Sequence, residues 1–287
     1  MSGIRIAHVI NPVKVGEDRD LYFQQPITFE SMRIARKSTN NSVNLYAVCY
    51  EEDFGIVGDY YKSKIHEIEK PLERSTEGKF KVNRKLPYFK EILDRVYEVS
   101  DADYFIQTNA DIGLQPYFYD LVSDMIKSGI ESFCINKRIV PETVKNSALP
   151  AIWSTIGDKH NGCDCFVFPR NVYEKFDIGD ICMGTPWSET TLITNMIAYT
   201  KRFIVFKQAH ATFHIGDRRI WLGHEYNDYR IHNTNEFARI LKKLSKDNPD
   251  ILKHETILSQ LRKLKLEVTS YTQMGEVYSE DCWDLIT

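Results

Sequence analysis

Tyr104-Phe105-Ile106-Gln107-Thr108-Asn109-Ala110-Asp111-Ile112 joins a short apolar run to a polar turn. The run has the length of a buried strand. Its carboxyl end delivers two oxygen-bearing side chains, Asn109 and Asp111, at spacing i, i+2, and on extended chain such side chains face the same way. Working outward, GIRIAHVI (3–10) predicts a first strand that stops at Asn11-Pro12, and a helix is expected over 28–38. VNLYAVCY (43–50) alternates and is rich in β-formers, so it predicts a second strand. The charged stretch 52–85 predicts loops with one short strand. From Pro87 the spacing Phe89, Ile92, Leu93, Val96 predicts an amphipathic helix, and Pro116 opens another with the stripe Phe118, Leu121, Val122, Met125, Ile126. ESFCIN (131–136), CFVFP (165–169) and FIVFK (203–207) complete the strands. Strands alternating with helices predict an α/β fold, with a mostly parallel central sheet flanked by helices.

Composition narrows the function classes. Thirty-seven Lys and Arg against 40 Asp and Glu in 287 residues give a net charge of −3, with 43% hydrophobic residues. Collagen, coiled coil and wholesale disorder are excluded, and a weakly negative field removes the main support for a nucleic-acid polymer as partner. No apolar run approaches the roughly 20 residues of a membrane-spanning helix. The opening MSGIRIAHVINP lacks a basic head and cleavage site, and the six scattered cysteines read as free, mostly buried thiols, so a cytoplasmic chain is expected. Cys163-x-Cys165 is too tight for a zinc half-site.

The near-zero total hides a local asymmetry. Residues 239–265, read as two helices joined near Asn248-Pro249, carry eight Lys and Arg against three acids. Residues 267–287 carry five acids and neither Lys nor Arg. The basic pair is either a solvated face or a surface that contacts a nucleotide, a lipid-diphosphate acceptor or, peripherally at its cytoplasmic face, an anionic membrane.

Two oxygens at a strand end can hold one divalent cation, with substrate phosphates completing its shell; the same pair also fits an Asx-turn that caps the next segment. In sheets of this kind ligands bind outside the carboxyl ends of the strands. The stretch ADYFIQTNADIGLQPYFYDLV, followed in order by HNGCDCFVFPR, GTPWSETTL and HATFHIGD, resembles the nucleotide-sugar glycosyltransferases of GT-A type, in particular bacterial members that build surface polysaccharides. The resemblance spans residues 3–225, and Asn109 stands where the family's D-x-D signature has its first aspartate. It implies a catalytic domain over 1–230, with a nucleotide-binding part (1–112) and an acceptor-binding part (113–230). A helical extension with an acidic tail follows over 231–287.

The resemblance further implies transfer of a sugar from a nucleotide-sugar donor to a glycan or lipid-linked saccharide acceptor. Asp111 would be the principal ligand of a divalent metal (Mn2+ or Mg2+) or of the diphosphate, Asn109 would assist, and His214 would be the third protein ligand, with His210 as its rival. A satisfied core histidine is the plainer reading of either. Glu189 matches the position of the base that takes the acceptor's proton; it can equally cap its helix. Asp164 can bind acceptor hydroxyls, act as nucleophile in a retaining variant, or simply shape a turn. For the nucleotide, Asn11 and Pro12 lie at one strand end and Glu52 or Asp53 at the next, with Lys85 and Lys137-Arg138 available to the diphosphate. A sugar-phosphate nucleotidyltransferase is the alternative enzyme, disfavoured because NPVKVGEDRD after the first strand has one glycine. A non-catalytic nucleotide- or glycan-binding module is kept open by Asn109.

Overall fold

The computed structural model describes residues 3–57, 79–81, 84–217 and 223–287. Its eight strands are β1 (Arg5–Ile10), β2 (Ser42–Ala47), β3 (Tyr104–Thr108), β4 (Gly113–Leu114), β5 (Ser132–Val140), β6 (Asp158–Pro169), β7 (Phe203–Phe206) and β8 (Thr212–Ile215). They form one sheet in the order β2-β1-β3-β6-β5-β8-β4, with β7 also paired to β5. β1 runs parallel to β2 and β3, and β5 parallel to β7 and β8; β6 is inserted antiparallel between β3 and β5, and β4 is antiparallel to β8. The helices are α1 (Asp20–Lys37), α2 (Phe89–Val99), α3 (Phe118–Lys127), α4 (Leu149–Ser154), α5 (Arg170–Tyr173), α6 (Ser188–Tyr199), α7 (Asn227–Asp247), α8 (Glu255–Thr272) and α9 (Glu280–Ile286). The expected α/β sheet flanked by helices, with a helical C-terminal region, is thus present, and four of its seven strand pairings among the described residues are parallel, with β6 and β4 antiparallel to their neighbours.

The chain divides into two compact units. The first takes in the described residues of Met1–Glu73, Ile92–Glu174 and Lys201–Arg218, and holds the sheet. One sheet face, through Ile6, Ile10, Leu45, Ile106, Phe133, Ile135 and Val167, packs on Met32 and Ala35 of α1 and on Phe118, Tyr119 and Val122 of α3. Side chains alternate along β3, so Phe105 points the other way, to Phe168, Tyr97 of α2 and Tyr173. His8 is buried beneath the first face. Its Nδ1 lies 2.8 Å from the Tyr119 hydroxyl and its Nε2 lies 2.9 Å from Thr108 Oγ1, and burial pushes the imidazole down to about 3.

The second unit takes in the described residues of Arg74–Glu91, Lys175–Thr200 and Arg219–Thr287. Two earlier segments pack with the C-terminal helices in this unit. Fully buried Asn233 of α7 explains part of this. It accepts from the Cys182 amide at 2.8 Å and donates to Cys182 O, Thr185 Oγ1 and Pro186 O at 2.7–2.9 Å. Phe80 stacks on Tyr229 in the same unit, at 3.8 Å between centroids.

Three sequence expectations are revised. α1 begins at Asp20 rather than 28 and carries Pro26 inside it. Proline lacks an N–H and normally ends such a pattern, but buried Gln24, Gln25, Thr28 and Met32 anchor the helix on both sides of it. Residues 51–56 form a 3-10 helix, while 58–78 and 82–83, most of the 52–85 stretch expected to hold loops and one short strand, lie outside the described residues. The acidic tail closes on the basic helix: Lys242 pairs with Asp281 at 2.7 Å and Asp284 at 2.5 Å, and Arg239 and Lys243 pair with Asp177. Much of the local positive charge is answered within the unit itself. Among the described residues no helix is long and apolar enough to cross a membrane, and all six cysteines are free.

Candidate active site

β3 ends at Thr108, and the chain turns through Asn109–Ile112, the Ile112 amide donating to Asn109 O at 3.2 Å. It then enters the two-residue strand β4, where Gly113 pairs with Phe213 and Leu114 with Thr212. A Cβ at Gly113 would overlap the edge of the buried Phe213 ring, so glycine is what permits this close approach. The pairing brings Asp111 to His214, 103 positions apart in sequence, with Oδ2 and Nε2 at 3.2 Å. On the other side of the ring, His214 Nδ1 meets the Gly216 carbonyl at 2.6 Å. A carbonyl only accepts, so Nδ1 carries the proton and Nε2 is the atom turned toward Asp111. In a neutral imidazole that atom is a lone pair facing a carboxylate oxygen. The contact therefore requires a positive species between the two groups, either a second proton or a metal ion.

The electrostatics agree with the protonated form in the free protein. Burial opposes ionisation of Asp111, but the charge and hydrogen bond of His214 and the charge of Lys137 outweigh it and hold the carboxyl below its usual range. Burial likewise works against the imidazolium, and Asp111 more than compensates, so the His214 ring is raised. Buried Gln24 of α1 bonds the Ile215 carbonyl at 2.6 Å and lies 3.5 Å from His214 Nε2.

The donor set suits a hard divalent cation in part. Asp111 Oδ1 and Asn109 Oδ1 are both buried without a hydrogen-bond partner, and a carboxylate, an amide oxygen and an imidazole are ligands such ions accept. Among the described residues no three His, Cys, Asp or Glu side chains gather as a metal-binding group. The remaining positions would fall to phosphate oxygens and water, the usual arrangement for Mg2+.

A second pair lies in the same unit. The register of β5 against β6 shifts between Ile135 and Asn136 and again between Asn136 and Arg138. Bulges re-aim side chains, and Lys137 and Asp164 meet there with Nζ and Oδ1 at 3.2 Å, both only about a tenth exposed (12% and 11%). Asp164 Oδ2 is 3.8 Å from His160 Nδ1. Asn136 and Cys163, a paired couple in the register, also bond through their side chains at 3.2 Å. Lys137 influences Asp111, His214 and His160 electrostatically, which makes it the cation common to both pairs. Bulge placement has no signature in the sequence, so the Lys137–Asp164 pair was not legible there, whereas Asp111 and His214 were expected together as metal ligands on the resemblance alone.

The other expected nucleotide residues have structural duties. Asn11 Nδ2 donates to Val48 O at 2.7 Å, tying the ends of β1 and β2 together, and Pro12 is buried beside it. Asp53 is fully buried and Oδ1 accepts the Lys14 amide at 2.8 Å, while Gln25 accepts the Val13 amide and donates to the Val13 carbonyl. His210 is set apart from His214: its Nε2 lies 3.1 Å from Gln115 Nε2, and its carbonyl takes the Tyr117 hydroxyl.

Lys85 and Glu189 belong to the second unit. Glu189 opens α6, where the helix N-terminus favours its charge. The Ser188 hydroxyl is within bonding distance of both Glu189 Oε2 (3.0 Å) and Thr185 O (2.9 Å). Just before the helix Trp187 adopts φ 75°, the sole positive φ of a non-glycine among the described residues. For an aromatic residue this is an outlier that persists only where its surroundings impose it.

No protein-family description matches the chain, and no curated protein matches it. Among solved structures it is similar to S. aureus TarS, at 8% identity and TM-score 0.46, covering 88% of this chain and 40% of that one. It is similar to TarS 1-349 in complex with UDP, at 8% identity and TM-score 0.46, covering 91% of this chain and 78% of that one. It is also similar to glucosyl-3-phosphoglycerate synthase from Mycobacterium tuberculosis in complex with Mn2+, UDP and phosphoglyceric acid, at 11% identity and TM-score 0.44, covering 84% and 79%. The chain spans 40% of the length of the full TarS chain.

Proposed function

We propose that this chain is a glycosyltransferase, moving a hexosyl or deoxyhexosyl group from a nucleotide sugar to a glycan or lipid-linked saccharide. The observation that carries the reading is the Asp111–His214 contact. Two ligand atoms face each other across 3.2 Å with the ring held from behind by Gly216, and an unpartnered amide oxygen stands two residues away on Asn109. Backing an imidazole with a carbonyl is how proteins present the other nitrogen to a metal.

Asp111, His214 and Asn109 would hold Mn2+ or Mg2+, which when bound neutralises charge on the leaving diphosphate. Lys137 supplies a second, fixed cation for the same charge. Asn11 and Pro12 flank the base or ribose, and Asp53 shapes their loop through Lys14. Glu189 takes the proton of the acceptor hydroxyl. Its Ser188 neighbour suits that task, since one hydroxyl proton can turn to Glu189 when the carboxylate is charged and to Thr185 O when it is not. Asp164, paired with Lys137, binds acceptor hydroxyls. The exposed side of α8, with Leu258, Arg262, Lys263 and Leu266, is the surface for peripheral contact with an anionic membrane.

The nucleotidyltransferase reading loses further ground. The Val13 and Lys14 amides after β1 are taken by Gln25 and Asp53, so this loop does not offer them to a triphosphate. Isothermal titration with UDP, GDP, CMP and TDP, each with and without Mn2+, tests the proposal. At least one nucleotide binds and is tightened by the metal; no binding by any of them refutes it.

A further inference from the structure

We infer that Glu267, in the C-terminal helix α8, is a positioning residue for Glu189, acting through Trp187. The inference rests on the reading of Glu189 as the base, and all its parts lie within the second unit. The left-handed backbone at Trp187 is imposed from two directions. The indole stacks on Phe237 of α7, with centroids 4.6 Å apart and planes at 20°, and its Nε1–H donates to Glu267 Oε2 at 3.1 Å. Trp187 is only 7% exposed and the Glu267 side chain 16%, so losing that acceptor leaves the indole donor in a largely desolvated place. Asn233 straps the preceding segment through Cys182, Thr185 and Pro186.

Glu267 is itself built in. Its Oε1 accepts the Thr234 hydroxyl at 2.5 Å and lies 3.9 Å from Arg230 Nε, whose guanidinium stacks over Tyr271 at 3.4 Å. An αL aromatic residue one step before a helix sets the direction in which the helix leaves. Glu189 is the second residue of that helix, and Ser188 couples its carboxylate to the same turn. Without the Glu267 acceptor the buried indole N–H is orphaned, Trp187 relaxes toward ordinary backbone angles, and the first turn of α6 moves with it.

The substitutions separate positioning from bulk stability. Glu267→Ala removes the acceptor, and Trp187→Phe keeps the stack on Phe237 but removes the donor. Glu267→Gln retains an oxygen for the indole, and its amide can donate to Thr234, whose hydroxyl also reaches Arg230 O at 2.7 Å. Hydrogen exchange over 185–195 is expected to quicken in Glu267→Ala and Trp187→Phe and to recover in Glu267→Gln, with no further gain in the double variant. Turnover of the UDP-, GDP- or TDP-hexose that the wild type consumes falls by roughly 10- to 100-fold in kcat with donor KM little changed, the size of a misplacement effect. In a Glu189→Gln background Glu267→Ala costs nothing more. Unchanged exchange at 185–195 in Glu267→Ala overturns the inference whatever the activity, as does a loss that Glu267→Gln fails to recover. Wild-type turnover in Glu189→Gln overturns the base reading instead, and leaves the exchange result standing.

Discussion

Replacing Asp111 with Asn is the perturbation that separates a ligand from a structural cap, because it removes one charge and almost no volume. At 3.2 Å and an effective dielectric near 20, the gross attraction between Asp111 and protonated His214 is about 5 kcal/mol. Both side chains are partly desolvated, at 23% and 10% exposure, and desolvation of about several kcal/mol per ion offsets most of that attraction. In the variant His214 drops its extra proton and accepts from the Asn amide, so no charge is left buried and alone. The expected loss is about 1–2 kcal/mol, or roughly 2–8 °C in melting temperature for a chain of this size. The metal response is larger. Mn2+ at about a hundred times its dissociation constant stabilises the wild type by about 2.7 kcal/mol, and the Asn variant, with its anionic ligand gone, is expected to show no rise. Thermal melts of both proteins with and without Mn2+, beside titration of the tightest nucleotide, measure the two effects separately. A variant that keeps the full Mn2+-induced rise refutes Asp111 as a ligand. A loss of more than about 4 kcal/mol without metal shows instead that Asp111 holds the fold, since such values mark broken buried networks.

Gly113→Ala drives a methyl into Phe213 and separates β4 from β8; a cost of about 1–3 kcal/mol and loss of Mn2+ stabilisation are expected in the same melts, and retention of both would detach the β4–β8 pairing from the site. Glu189→Gln is expected to lower kcat by roughly 10²–10⁴ with nucleotide binding unchanged by titration; full turnover moves the base role to Asp164. Stability should also fall in acid on account of His8. The folded state holds this ring neutral down to about pH 3, while the unfolded chain takes up its proton near 6.5. Its contribution is therefore complete above pH 6.5 and is lost as pH falls through the window from 6.5 to 3, at about 1.4 kcal/mol per unit and about 2 kcal/mol by pH 5. Urea unfolding at pH 7 and 5 checks this, with His8→Asn expected to flatten the difference; equal slopes in the two proteins would show that His8 titrates normally.

Periodicity was enough to place most of the longer helices and strands because each is selected locally, by which residues can face a core. The 3.6-residue stripe at Phe89–Val96 and the alternation in VNLYAVCY survive any tertiary context that buries one side. The extension of α1 past Pro26 was not visible, since long-range burial of Gln24, Gln25 and Met32 overrides a local breaker. β8 escaped notice for a related reason: Thr212–Ile215 is too short to show alternation, and its pairing with β5 and β4 is what makes it a strand.

The same distinction governs the site. The sequence alone determined that Asn109 and Asp111 stand together at a strand end, and that His214 and Glu189 are chemically suited to a metal and a proton. Which residues follow an apolar run is a local rule and side-chain chemistry needs no fold, although Asn109 and Asp111 lie in a turn and not on extended chain. Only the tertiary structure decided which of these groups meet. The two-residue pairing of β4 with β8, admitted by Gly113, carries Asp111 to His214, and two register shifts between β5 and β6 carry Lys137 to Asp164. In the second unit the helices α7 and α8 impose a backbone on Trp187 that no local preference favours. The acids of α9 close on Lys242, so part of the charge asymmetry between the basic helices and the acidic tail is an internal pairing. Contacts between residues a hundred positions apart depend on how sheet register and helix packing close the core, and no local pattern in the chain encodes that closure.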